Sequence, residues 1–112
     1  PDALPDYERL VLVVAEMIKN GFLQQSAFDD VDVYSVPEKQ IQLLLLMMHF
    51  YERGLAVITA GAPLSKIVSL PVRDEIVRLK STVPNDRLEL IKETESRFEQ
   101  QFSELERMYC KV

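Results

Sequence analysis

The stretch from Val36 to Ala60 constrains this chain more than any other. It opens on Ser35-Val36-Pro37-Glu38, a serine followed three residues later by a glutamate, with proline in the first turn. That pattern predicts a capping box at a helix start. Gly61, Ala62 and Pro63 end the helix. At 1.5 Å per residue the helix is roughly 36 Å long, the full height of a small domain. From Leu43 to Met48 it is apolar all round, which predicts that neighbouring helices surround its middle. Gly54 weakens it and admits another backbone.

The remaining segments read as partners for this rod. Asp6 to Lys19 forms a first helix, with Asp2 or Asp6 as cap and Pro5 suited to a first-turn position. Leu10, Val13, Val14, Met17 and Ile18 make its inner stripe, and Val11 and Leu12 widen it toward a second neighbour. Gly21 is its C-cap or a bend before one further turn. Gln24 to Ser35 reads as irregular; Asp29, Asp30 and Asp32 suit turns, and Val31, Val33 and Tyr34 anchor it. Leu64 to Val68 forms a short turn. A further helix covers about Pro71 to Lys80, with Ile76, Val77 and Leu79 inward. The last runs from about Asn85 to Tyr109, where Leu88, Ile91, Phe98, Phe102, Leu105 and Tyr109 form a narrow seam with Glu95 as the mismatch. The expected fold is all-α, a single helical-bundle domain over residues 1–112 with about four main helices and short connecting turns.

Composition excludes several functions. The chain has 112 residues, 47% hydrophobic and 28% charged, with three glycines, a balance that fits one globular domain rather than an all-β fold. A formal net charge of -5 argues against nucleic acid as a partner. The longest apolar run, Leu43 to Met48, is far short of the roughly 20 residues of a membrane span, so no direct membrane insertion is expected. Cys110 stands alone, which favours a reducing compartment. The polar N-terminus does not read as a signal peptide. A start at Pro1 rather than Met suggests a fragment or processed product.

No phosphate-binding glycine loop and no metal-ligand spacing is present, and one His and one Cys cannot build a paired metal motif. His49 reads as a packed histidine within the apolar run, and Met47 and Met48 as gap-fillers rather than a partner groove. Cys110 reads as a terminal bystander. No catalytic residues and no metal ligands are assigned. Two features remain. Phe28 sits alone on the irregular segment, either as a core plug or as a flat face for a ligand; its residues alone favour the plug. Asp2, Asp6 and Glu8 either complement the helix dipole or meet a basic partner.

FLQQSAF at Phe22–Phe28, Val31-Asp32-Val33-Tyr34 and the Glu38-Lys39-Gln40 helix start, together with PDALP at the start and LPVRDEI at Leu70–Ile76, resemble the C-terminal helical domain of the catalytic A subunit of archaeal and vacuolar-type rotary ATPases. The family commonly has Asn where Ser26 stands and Thr-Tyr-Cys where this chain has Val33-Tyr34-Ser35; the aromatic is kept. The F-type beta subunit is similar too, its FLSQPF aligning with FLQQSAF and its acidic DELSEED loop with Asp2 to Glu8. The resemblance implies that Gln25, Ala27 and Phe28 line an adenine pocket. It implies that Asp2, Leu4, Asp6 and Glu8 form a loop touching the central rotor shaft. The implied cofactors, ATP or ADP with Mg, belong to the parent subunit, and the 112-residue piece alone binds none. The implied partners are the nucleotide-binding domain of the same subunit, neighbouring non-catalytic B subunits and the central-stalk rotor. The implied location is cytoplasmic, peripheral to the membrane. The rival reading is a free-standing helical adaptor that binds partner proteins.

Overall fold

The computed structural model describes residues 5–23 and 35–109. Helix α1 (Asp6–Ile18) continues into one π-helical turn, Lys19–Leu23. Then follow α2 (Pro37–Thr59), a short α3 (Leu64–Val68) and α4 (Pro71–Thr82). A 3-10 turn, Leu88–Leu90, leads into α5 (Ile91–Tyr109). No strand occurs among the described residues, and the all-α bundle of four main helices stands.

Helix α2 lies at the centre and packs against α1, α4 and α5. Its inner face gives Leu43, Leu46, Met47, Phe50 and Val57 to the core. Leu10, Val14 and Met17 come from α1, and Val72, Ile76 and Leu79 from α4. Ile91, Phe98, Phe102 and Leu105 come from α5, as the seam predicts. Burying each such side chain stabilises by about 1.5–3 kcal/mol before entropy is set against it. Phe102 is the hub of the α2–α5 contact: it meets Phe50 edge-on at 5.4 Å and Phe98 at 4.7 Å. The Arg53 guanidinium lies 5.7 Å from the Phe102 ring centroid. Arg53 also binds Glu106 through paired bonds of 2.7 and 2.8 Å and Glu99 at 2.8 Å. The Glu106 and Glu99 carboxylates raise the Arg53 pKa, and Arg53 in turn lowers that of Glu99.

Several local expectations change. The capping box does not form: Val36, not Ser35, is the N-cap of α2, and no side chain caps it. Pro37 takes the first helical position, where its missing N–H costs nothing, and this shifts the register by one residue. The Ser35 hydroxyl is buried without a hydrogen-bond partner among the described residues. Likewise Pro5, not Asp6, is the N-cap of α1, and Asp6 becomes its first residue without a side-chain cap bond. The last helix begins at Ile91 rather than near Asn85, and Asn85 Oδ1 accepts the Val36 N–H at 3.0 Å. The gap at Glu95 is filled one position earlier by Thr94, which is 2% exposed and donates to Glu75 at 2.8 Å.

The largest departure concerns α2. Leu43, Leu46 and Met47 are buried, but Leu44, Leu45 and Met48 are 43–50% exposed, so the run is not surrounded. His49 is exposed as well, not packed. Val11 and Leu12 are 48% and 57% exposed, although α1 does touch α3 and α4 as well as α2. By length and composition alone α2 could also cross a membrane, since an 18-residue window of it has a mean hydropathy of 1.3. Its packing against three helices is that of a bundle core helix.

The glycines mark three special positions. A Cβ on Gly54 would lie 3.2 Å from Leu10 Cδ2, so this glycine admits a side chain of α1 rather than a backbone. A Cβ on Gly21 would fall 2.6 Å from Met47 Cε and 3.7 Å from the Val77 carbonyl oxygen. Leu10 thus meets α2 near Gly54 and Gly21 meets it near Met47, so α1 and α2 run antiparallel. Gly61, with φ at 111°, closes α2 in a left-handed turn. Its N–H donates to Ile58 and that of Ala62 to Val57, both at 2.9 Å, the Schellman pattern.

Candidate functional site

Of the residues that the sequence singles out, the structure describes Asp6 and Glu8 at the start of α1. Asp6 and Glu8 occupy the first turn of α1, with Asp6 half-buried, Glu8 exposed and Tyr7 52% exposed between them. Both carboxylates lie where the helix dipole favours negative charge. Asp2 and Leu4 lie outside the described residues. From Asp6 to Leu23 the backbone is helical throughout, about 26 Å at 1.5 Å per residue. Gly21 is therefore inside a continuing π turn, the bend with a further turn and not the C-cap.

At the other end of the rod the described residues stop at Leu23 and resume at Ser35, two residues before α2 begins. Gln25, Ala27 and Phe28 lie between, outside the described residues, as do Ser26, the three aspartates and Tyr34. Cys110 is outside them too.

What the structure does place are the two stems of that segment, fastened to the last turn of α4 and to the turn that follows it. Lys80 Nζ donates to the Phe22 carbonyl at 2.9 Å, holding the exit stem. Asn85 Oδ1 accepts the Val36 N–H at 3.0 Å, holding the return stem. Lys39, fully buried, donates through Nζ to the Lys80 carbonyl at 2.8 Å and to the Val83 carbonyl. These carbonyls belong to the end of α4, where a cation complements the dipole and satisfies acceptors that the helix cannot. Gln40 Nε2 closes the set by donating to the Ser35 carbonyl at 2.8 Å. Sequence reasoning missed Lys39, Lys80 and Asn85 as positioning residues. A signal for Lys39 was present: it stands four residues before Leu43, in phase with the buried face of α2.

Beside the stems lies an apolar groove of about 340 Å³, lined by Ile18, Phe22, Pro37, Gln40, Ile41 and Leu44. A second cleft of about 790 Å³ lies between α2 and α5, with His49, Glu52, Arg53, Lys92, Glu95 and Glu99 on its walls. Its arginine is already engaged by Glu99 and Glu106. Among the described residues no group of three His, Cys, Asp or Glu side chains is placed to hold a metal ion.

Comparison with known proteins bears on this arrangement. The family described as the C-terminal domain of V and A type ATP synthase matches residues 1–68. The A subunit of the A-type ATP synthase of Methanopyrus kandleri is 46% identical over 106 residues, covering 94% of this chain and 18% of the relative. That of Thermococcus onnurineus is 44% identical over 103 residues, covering 91% and 18%. That of Pyrococcus abyssi is 44% identical over the same length, covering 91% of this chain and 10% of its own. The chain thus spans less than a fifth of the relatives it matches. A helical bundle built on a rod from an acidic first turn to the stems of the FLQQSAF segment, with sequence identity along nearly its whole length, belongs to the family of C-terminal domains of V- and A-type ATP synthases.

Proposed function

We propose that this domain completes the adenine pocket in the catalytic A subunit of a rotary ATP synthase and transmits nucleotide-driven closure to the central rotor. The kinship with the A subunits of A-type ATP synthases carries the reading. In it, Phe28 stacks on the adenine, with Gln25 and Ala27 beside it; stacking of a base on an aromatic ring contributes roughly 1–3 kcal/mol. The phosphates, the magnesium and the attacking water belong to the nucleotide-binding domain of the same subunit, so the 112-residue piece has no activity of its own. Asp2, Leu4, Asp6 and Glu8 meet the rotor at the far end. The unbroken helical path from Asp6 to Leu23 supports a mechanical link between the two. The anchoring of both stems on Lys80 and Asn85 supports movement of the residues between them with the whole bundle, a hinge motion of a packed unit. Neighbouring B subunits complete the ring, and the assembly sits on the cytoplasmic side, peripheral to the membrane.

The test is Phe28→Ala in the full-length protein, assembled into the complex. The nucleotide KM rises about tenfold, as loss of roughly 1.4 kcal/mol of stacking requires, while kcat changes little. An unchanged KM would remove the adenine role. A fall in kcat alone would place Phe28 in the chemistry rather than in binding.

A further inference from the structure

The cleft of about 790 Å³ between α2 and α5 has an apolar floor and charged walls. Leu46 and Phe98 make the floor; they are 5% and 4% exposed, so each shows the cleft only an edge. Glu52 stands on the α2 wall and Glu95 on the α5 wall, both exposed. Neither makes a hydrogen bond or an ion pair among the described residues. The cleft's arginine is already occupied: Arg53 is bound by Glu99 and Glu106 and lies over the Phe98 and Phe102 rings. Two carboxylates around one guanidinium leave that trio negative as well. Among the described residues Lys92 is the only other lysine or arginine on the walls.

We propose that this cleft docks a separate polypeptide chain through a segment that sets a lysine or arginine beside an apolar residue. The basic side chain meets Glu52 and Glu95, and the apolar one rests on Leu46 and Phe98. Charge complementarity decides the occupant. Unpaired carboxylates stand on both walls, the arginine is taken, and the whole chain carries a net charge of -5. A small apolar ligand does not fit, because pockets for such ligands are lined mainly by hydrophobic side chains with a few polar groups, and here the proportion is reversed. A nucleic acid does not fit either, since its phosphates need cations where this cleft offers carboxylates. The space between two helices suits a helix or an extended strand that inserts several side chains in a row. The proposal uses only α2 and α5 and stands apart from the adenine reading.

The experiment uses the full-length protein and, as probe, a fluorescent pentapeptide of alternating leucine and arginine, read by anisotropy at low ionic strength. A pentapeptide of alternating leucine and glutamate is the control. The expected result is saturable binding of the basic peptide alone, weakened about fivefold by Glu52→Gln with Glu95→Gln, since two solvent-exposed ion pairs are lost. Both glutamates are exposed and unpaired, so their replacement leaves the fold intact. Lys92→Gln removes the competing cation and is expected to tighten binding about twofold, a change that a folding defect does not produce. No binding of the basic peptide overturns the proposal. So does an unchanged Kd in the double variant, weaker binding in Lys92→Gln, or equal binding of the acidic control. None of these results touches the adenine reading, which fails on the KM of Phe28→Ala.

Discussion

Replacing Lys39 with methionine tests whether the stems depend on the anchor at the end of α4. Methionine keeps most of the stem volume, so the change removes the ammonium and leaves little cavity. Two charge-assisted bonds go, to the Lys80 and Val83 carbonyls. Hydrogen bonds to charged groups contribute about 1.5–3 kcal/mol each, a gross loss of about 3–6 kcal/mol. Against this, the folded chain no longer holds a fully buried ammonium, which offsets a few kcal/mol. The net expectation is a loss of about 2 kcal/mol, because the orphaned carbonyls cannot reach water as easily as a surface group could. At about 2.1 cal/mol/K of unfolding entropy per residue this lowers Tm by about 8 °C. Thermal unfolding followed by far-ultraviolet circular dichroism reads the shift. A Tm equal to or above that of the parent would show that desolvation of the ammonium outweighs its bonds, and Lys39 would then be no stabilising anchor.

Two further outcomes follow. Glu75 accepts from Arg97 and Thr94, and the Arg97 bond first of all holds its carboxyl below the ordinary range. A depressed folded pKa gives stability that is present above the unfolded carboxylate value and is lost as pH falls through the folded one. Glu75→Gln should therefore cost up to about 1 kcal/mol near neutrality, discounted because Arg97 is half exposed, and should flatten the acid limb of stability against pH; an acid limb as steep as the parent's contradicts the pairing. Asp6→Lys with Glu8→Lys should weaken rotor affinity in the assembled complex, more strongly at low salt, without changing nucleotide KM; indifferent rotor binding would leave those acids only their dipole role.

The bundle was legible because periodicity reports burial, and it failed where burial depends on what else is present. The seam of α5 appeared in the sequence, since Ile91, Phe98, Phe102 and Leu105 have to face one side. The apolar run of α2 did not read correctly, because apolar character on every side says only that something covers the helix, not that this domain does. Leu44, Leu45 and Met48 satisfy the composition and still face outward. Helix starts were misread where proline geometry competed with side-chain capping, as at Val36, and at Asn85, which accepts from a distant N–H and precedes a 3-10 turn. At the candidate site Asp2, Leu4, Gln25, Ala27 and Phe28 lie outside the described residues, and the fastenings of the stems were not legible. A motif marks the residues that meet a ligand, whereas a lysine bonded to a carbonyl some forty positions away leaves only a polar residue in an apolar phase.

The two roots of the segment from Gln24 to Tyr34 are tied to one short stretch, Lys80 to Asn85. A push on that stretch displaces both roots by the same vector. The spacing of the two roots is kept while their location shifts, so a load arriving along α4 would be delivered as translation of both and not as a change in the distance between them.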